Sequence, residues 1–353
     1  MNGFSLVEAL VATLLLLVVA GAALALSLPD VEMAQVQPAM MDIQQRARMA
    51  AGILAADLRG AGAGPESGSH AGALPRAFAA ILPRRLGPIR PDAATAVRID
   101  TITAVRAAGP WRQARLGQPL GPNGSLVLEP APHCPPADPV CGLVPGVTVL
   151  VFDGAGRFDL FELLGVGPTS GSVRPLQSQF TEPYAAGSAV VEAVLDTYYL
   201  DAANRQLRHY DGRLTDMPVV DDVASLAFRY FGDPAPPAEP VPPAGEANCL
   251  YEADGTARGG LSLLSALPDA LVELPPAMFG DGPWCGSGDT AYDADLLRVR
   301  HVRATMRLQA PDPSLRGTGA AYVNPGTSRS ARRGVPDYAV TIAVTPRPLA
   351  AGR

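Results

Sequence analysis

With 353 residues, 48% of them hydrophobic and 18% charged, the chain is long enough to bury a sizeable core and to form one large or two modest domains. Its 28 basic residues are all arginine and are scattered, and the net charge is −6, which argues against a basic stripe for a nucleic-acid partner. The 36 Gly and 36 Pro exclude a purely helical bundle and predict a turn-rich exterior domain.

The chain opens Met-Asn-Gly and then runs FSLVEALVATLLLLVVAGAALAL over residues 4–26. Residues 9–28 carry no charged side chain, and residues 4–28 would measure about 37 Å as a helix, enough to span a bilayer with some tilt. Inside this run stands one carboxylate, Glu8, and a lone ion at that depth costs a few kcal/mol. An ordinary secretory signal peptide is one reading, with Ala23-Leu24-Ala25 as a small-x-small cleavage site. A plain single-span anchor is another. Neither accounts for Glu8.

The stretch GFSLVEALVA resembles the prepilin cleavage and methylation motif of type IV pilins and type II secretion pseudopilins. The resemblance implies cleavage after Gly3 by a prepilin peptidase, N-methylation of the new terminus at Phe4, and Glu8 as the signature glutamate at the fifth mature position. The leader, residues 1–3, is shorter than is usual in that family and uncharged. The physics agrees with the resemblance. A new α-ammonium at Phe4 and the Glu8 carboxylate are each costly in lipid, and pairing offsets much of that cost, within one chain or between neighbouring helices of a bundle. Glu8 lies about 6 Å along the helix axis from Phe4 and on the same face. Ala20, Gly21, Ala22, Ala23 and Ala25 would let helices approach closely.

Pro29 is expected to kink or break the helix, and Pro38 to open its continuation. Ile43, Ala47, Ala50, Leu54 and Leu58 then recur on one amphipathic face, with Asp42, Gln45, Arg46 and Asp57 mainly elsewhere. The GAGAG of residues 60–64 follows a helix and lacks phosphate-loop spacing, so it reads as a helix end. Residues 53–62, ILAADLRGAG, resemble the end of the long helix in PilW-type minor pilins.

The remainder predicts β structure. Candidate strands are residues 97–105, 125–128, 147–152 and 157–164, a pair within 190–212 joined at Asp201–Asn204, and a strand presenting Leu226, Phe228 and Tyr230 on one face. The latter, VASLAFRYF, resembles a segment of PilW-type and J-type proteins. Residues 296–308 alternate with a change of phase near His301 that predicts a bulge, with Val302, Ala304, Met306 and Leu308 on one face. The cleanest strand places Tyr338, Val340, Ile342 and Val344 inward. Residues 232–247 hold six prolines and predict an extended surface loop, and residues 310–336 a second irregular stretch.

Together these readings predict an α+β protein. A long N-terminal helix, transmembrane over 4–28 and amphipathic over 29–62, packs on a mostly antiparallel β-sheet head with long loops over 63–353. Cys134 with Cys141, and Cys249 with Cys285, form two local sets that predict disulfides in an oxidising compartment. Asp281, Asp289, Asp293 and Asp295 around Cys285 offer oxygen ligands suited to calcium, but at no recognised loop spacing, and solvated turn residues are the favoured reading. His133 beside Cys134 lacks the second half of a metal site. DGAGRFD, residues 153–159, reads as a hairpin turn. Arg298, Arg300 and Arg303 near His301 read as a solvated strand face rather than an anion site. No nucleophile elbow or catalytic set is recognisable, so the expectation is no enzyme and no required cofactor.

The resemblance implies a minor type IV pilin, with a J-type minor pseudopilin of a type II secretion system as the nearest alternative. Its implied partners are the prepilin peptidase and N-methyltransferase, other major and minor pilins, and the inner-membrane assembly platform. Its implied location is the inner membrane with an extracytoplasmic head, then the fibre. From another class, a secreted hydrolase or adhesin with an ordinary signal peptide stays open.

Overall fold

The computed structural model describes residues 5–66, 70–72, 74–130, 134, 138, 140–166, 172–175, 180–265, 270–329 and 334–350; the side chains of 24–33, 35, 130, 166, 172–175 and 350 are outside the description. The first element is one helix, α1, over Leu6–Gly60. At 55 residues it is about 80 Å long. The break expected at Pro29 does not occur, and the helix runs through Pro29 and Pro38 alike. A proline removes one intrahelical hydrogen bond, and the bonds on either side carry the helix across it.

The two halves of α1 meet different surroundings. Leu6 to Val19 is exposed along its whole circumference, with large apolar side chains 53–79% accessible. The second half is amphipathic: Ile43, Ala47, Ala50, Leu54 and Leu58, the stripe legible in the sequence, are all within 1% of complete burial. Ala51 and Ala55 widen the buried face, and their small size lets the helix lie close to the sheets. The helix ends as Ala61 N–H bonds the Leu58 carbonyl, and Gly62 takes a φ of +79°, a conformation that glycine adopts without penalty.

Sixteen strands follow among the described residues: β1 (Ile81–Leu82), β2 (Thr101–Ala107), β3 (Gln113–Leu116), β4 (Leu126–Pro130), β5 (Thr148–Phe152), β6 (Phe158–Val166), β7 (Ser172–Pro175), β8 (Ala189–Asp201), β9 (Gln206–Tyr210), β10 (Asp216–Asp221), β11 (Val223–Gly232), β12 (Val272–Leu274), β13 (Trp284–Cys285), β14 (Tyr292–Asp293), β15 (Val299–Leu308) and β16 (Tyr338–Val344). Their pairings are antiparallel. The architecture is therefore α+β.

The 13-residue β8 organises the head. Its first residues pair with β3 on one side and β5 on the other, and its last residues with β2 and β9. Through β3, β4, β7, β6 and β5 the ladder returns to β8 and closes a ring. A separate core fills that ring, including Leu116, Leu126, Val149, Val151, Phe161 and Val190. Closure removes exposed strand edges there, which is how a sheet avoids unpaired backbone.

The second sheet has the order β12-β11-β15-β16. Leu226, Phe228 and Tyr230 face its core at 5, 2 and 1% exposure. The ladder of β11 with β15 slips between Phe231 opposite His301 and Gly232 opposite Val299, which is the bulge that the change of phase predicted. Residues 294–298 form a 3₁₀ turn instead of strand, so β15 begins later than the alternation suggested. Tyr338, Val340 and Ile342 of β16 pack against the core, with α1 lying along the strand, while Ala339, Thr341 and Ala343 face outward. The proline-rich loop is irregular as expected, yet anchored: Asn248 Nδ2 donates to the carbonyls of Ala155 and Pro240.

Candidate functional site

The first turn of α1 is built by two residues. Ser5 is the N-cap, its Oγ accepting from Val7 N–H at 3.3 Å, and Glu8 Oε2 accepts from Ser5 N–H at 3.3 Å. This reciprocal capping box holds the only carboxylate of the apolar stretch against the helix start, where the exposed N–H groups favour negative charge. Gly3 and Phe4 lie outside the described residues, as does the geometry of any cleaved terminus.

Beyond Glu8, Leu6–Ala23 is one helix long and apolar enough to cross a membrane, and none of it is buried in the rest of the chain. Thr13, its one hydroxyl beyond the cap, turns inward on the helix and donates to the Ala9 and Leu10 carbonyls. Ala20, Gly21, Ala22 and Ala23 are exposed, and a Cβ at Gly21 would meet nothing within 4 Å. Ala25 is among the undescribed side chains.

The packed half of α1 is tied to the head by polar contacts as well as by its stripe. The fully buried Tyr198 on β8 donates its hydroxyl to Asp57 Oδ2, and its ring lies 4.8 Å from that of His209 on β9. Burial, and the bond to Asp57, raise the Tyr198 pKa, so the phenol stays a donor. His209 Nε2 is 3.0 Å from Asp196 Oδ1, and this hydrogen bond raises the His209 pKa against the effect of burial. Arg46 joins Asp42 at 2.8 Å on its own helix and reaches the Asp221 carbonyl and Asp222 beyond β10. Sequence reading placed Asp57 off the apolar stripe, gave it no partner, and assigned no role to Asp196, Tyr198 or His209. The signal available was a carboxylate, Asp196, within the apolar run of β8.

The cysteines stand in the pairs that the sequence grouped. Cys134 and Cys141 are at disulfide distance with Cα atoms 5.1 Å apart, beside the core of the ring. Cys249 and Cys285 likewise, at 4.8 Å, join the end of the proline-rich loop to β13. His133 lies outside the described residues.

Three of the four aspartates around Cys285 come together. Asp281, Asp293 and Asp295 each offer an oxygen within 4.8 Å of the others, and Asp289 is not of that group. Asp293 is fully buried and both its oxygens already accept backbone N–H groups, from Gly282 and Asp295. Asp295 faces the buried Arg298, whose Nε is 2.9 Å from Oδ1. Burial pushes Asp295 up to about 6, with Arg298 opposing and Asp293 and Asp281 adding to the shift. Two of these carboxylates are thus interior groups, not solvated turn residues.

The arginines near His301 do not assemble into an anion site. Arg298 turns inward to Asp295, Arg300 pairs with Asp233 at 2.8 Å, and Arg303 covers the Phe231 ring at 4.8 Å. Residues 153–157 form the β5–β6 turn and 158–159 already belong to β6, with Asp153 accepting from the Ala155 and Arg157 backbone and from Arg157 Nε. Comparison of the chain with protein-family models, with curated proteins and with solved structures finds no match.

Proposed function

We propose that the chain is a minor type IV pilin subunit of PilW type, held in the inner membrane by Leu6–Ala23 and passed into, or to the tip of, a pilus fibre. The observation that carries this reading is the division of α1. One continuous helix is exposed and apolar over Leu6–Ala23, holds a single carboxylate, Glu8, in that stretch's first turn, and packs on a β-rich head through Ile43, Ala47, Ala50, Leu54 and Leu58. An apolar helix with no cover in its own chain needs lipid or other helices around it. Glu8 near the helix start supplies the charge that an α-ammonium at Phe4 of a neighbour would require. Two cysteine pairs at disulfide distance support an oxidising, extracytoplasmic place for the head. The prepilin peptidase, other pilins and the assembly platform are the partners of this reading; a J-type pseudopilin would use the same helix in a secretion system.

N-terminal mass spectrometry of membrane-extracted protein tests it. The expected terminus is an N-methylated Phe4. A terminus at Leu26 would instead mark a signal peptide and end the pilin reading. Recovery from sheared pili, against dependence of secretion on the protein, separates the two assembly systems.

A further inference from the structure

Three donor groups from three elements meet where the last turns of α1 pass the sheet: Asp57 on α1, Asp196 on β8 and His209 on β9. Each offers one atom, and these lie within 4.8 Å of one another. The β8–β9 register sets Tyr198 opposite His209, so Asp196, two residues before Tyr198, reaches the imidazole diagonally on the same face. His209 Nε2 and Asp196 Oδ1 are 3.0 Å apart. That is close to the roughly 3.3 Å edge of a tetrahedron with bonds of about 2.0–2.1 Å.

The surroundings leave charge to be balanced. The Asp196 side chain is 9% exposed, and its Oδ2 is buried and accepts no hydrogen bond. Arg106 Nη2, 3.4 Å away, is its cationic neighbour, on a side chain 34% exposed that can turn to solvent. Asp57 gives one oxygen to Tyr198 and keeps the other. A hydroxyl on the distal oxygen of a ligating carboxylate orients it, as outer partners of metal ligands do.

We propose that Asp57, Asp196 and His209 bind a first-row divalent transition metal of the zinc class, which ties the end of α1 to the sheet. An imidazole nitrogen between two carboxylates suits zinc-class ions and disfavours calcium and magnesium, which take oxygen. The His209 side chain is 28% exposed, so water can complete the coordination. Binding needs Nε2 without its proton: a neutral imidazole carries it on Nδ1, and an imidazolium releases one to solvent. The site stands independently of the pilin reading.

The test uses the untagged full chain in detergent micelles, stripped by a chelator that is then removed, and titrated with Co²⁺. A visible d–d absorption should saturate at one equivalent, fade on addition of Zn²⁺, and survive excess Ca²⁺ or Mg²⁺. Zn²⁺ should also raise the unfolding temperature. His209→Gln and Asp57→Asn should each weaken binding at least about tenfold, and His301→Gln should leave it unchanged. Asp57→Asn keeps an acceptor for Tyr198, so it decides the matter where His209→Gln fails to fold. Absence of a saturable absorption in the wild type overturns the proposal, and so does an absorption that persists in a folded Asp57→Asn chain.

Discussion

The hydroxyl of Tyr198, in the last third of β8, donates to the carboxylate of Asp57, three residues before the end of α1. The two residues are 141 positions apart. This bond marks where the long helix is seated on the head: Leu54 and Leu58 of the same helix segment are buried, and the Asp196–His209 pair stands within reach of Asp57.

Tyr198→Phe removes the donor and leaves a half-buried carboxylate oxygen without it. The expected cost is about 1–3 kcal/mol, the price of an interior acceptor left unsatisfied. Denaturant unfolding of the full chain measures it. A variant as stable as the wild type would show that water replaces the hydroxyl freely.

Glu8→Leu separates assembly from insertion. The substitution removes a charge from a helix long and apolar enough to cross a membrane, so on the pilin reading insertion should persist or improve. Processing after Gly3 should largely survive. Entry into the fibre should fail, because a neighbour's terminal ammonium would be buried without a partner, at several kcal/mol. The measurement is the ratio of processed protein in sheared fibres to that in the inner membrane. Normal incorporation refutes pairing between chains, whereas loss of processing would assign Glu8 to peptidase recognition.

The two cysteine pairs should differ in what they contribute. Cys249 and Cys285 are 36 positions apart, and Cys134 and Cys141 only 7. On the loop-entropy account the long loop is worth about 4 kcal/mol and the short one about 2 kcal/mol. Replacing each pair by alanines and measuring unfolding without reductant should reproduce that order. Equal losses would show that strain or packing outweighs chain entropy.

Asp295 predicts a pH dependence. Its pKa of about 6 lies above the ordinary carboxylate value, so the folded state holds the proton more tightly than the unfolded state. The resulting stability is fully present below about pH 4 and is lost as pH rises through about 6. The stability of the wild type relative to Asp295→Asn should therefore fall by up to about 3 kcal/mol across that window. A difference that stays flat with pH would place the native pKa back at the ordinary value. The difference between the two chains is the quantity to follow, because the variant also alters the pairing of Arg298.

The sequence by itself determined the elements whose signal is local. The burial of Ile43, Ala47, Ala50, Leu54 and Leu58, the inward face of Leu226, Phe228 and Tyr230, the bulge at His301 and the turn at Asp201–Asn204 all follow from the alternation of apolar side chains at the helical or strand period. It also isolated Glu8, because one carboxylate in twenty-odd apolar residues stands out without any structure. Only the tertiary structure decided which strands meet. That β8 pairs with four others and closes a ring around its own core depends on contacts between segments far apart in the chain, and a period of two says which face is buried but not against what. For the same reason Asp57 could be placed off the apolar stripe but given no partner. Its place on the helix is polar by pattern, and its partners Tyr198, Asp196 and His209 arrive from strands 139 or more residues later, so their chemistry exists only once helix and sheet are packed together.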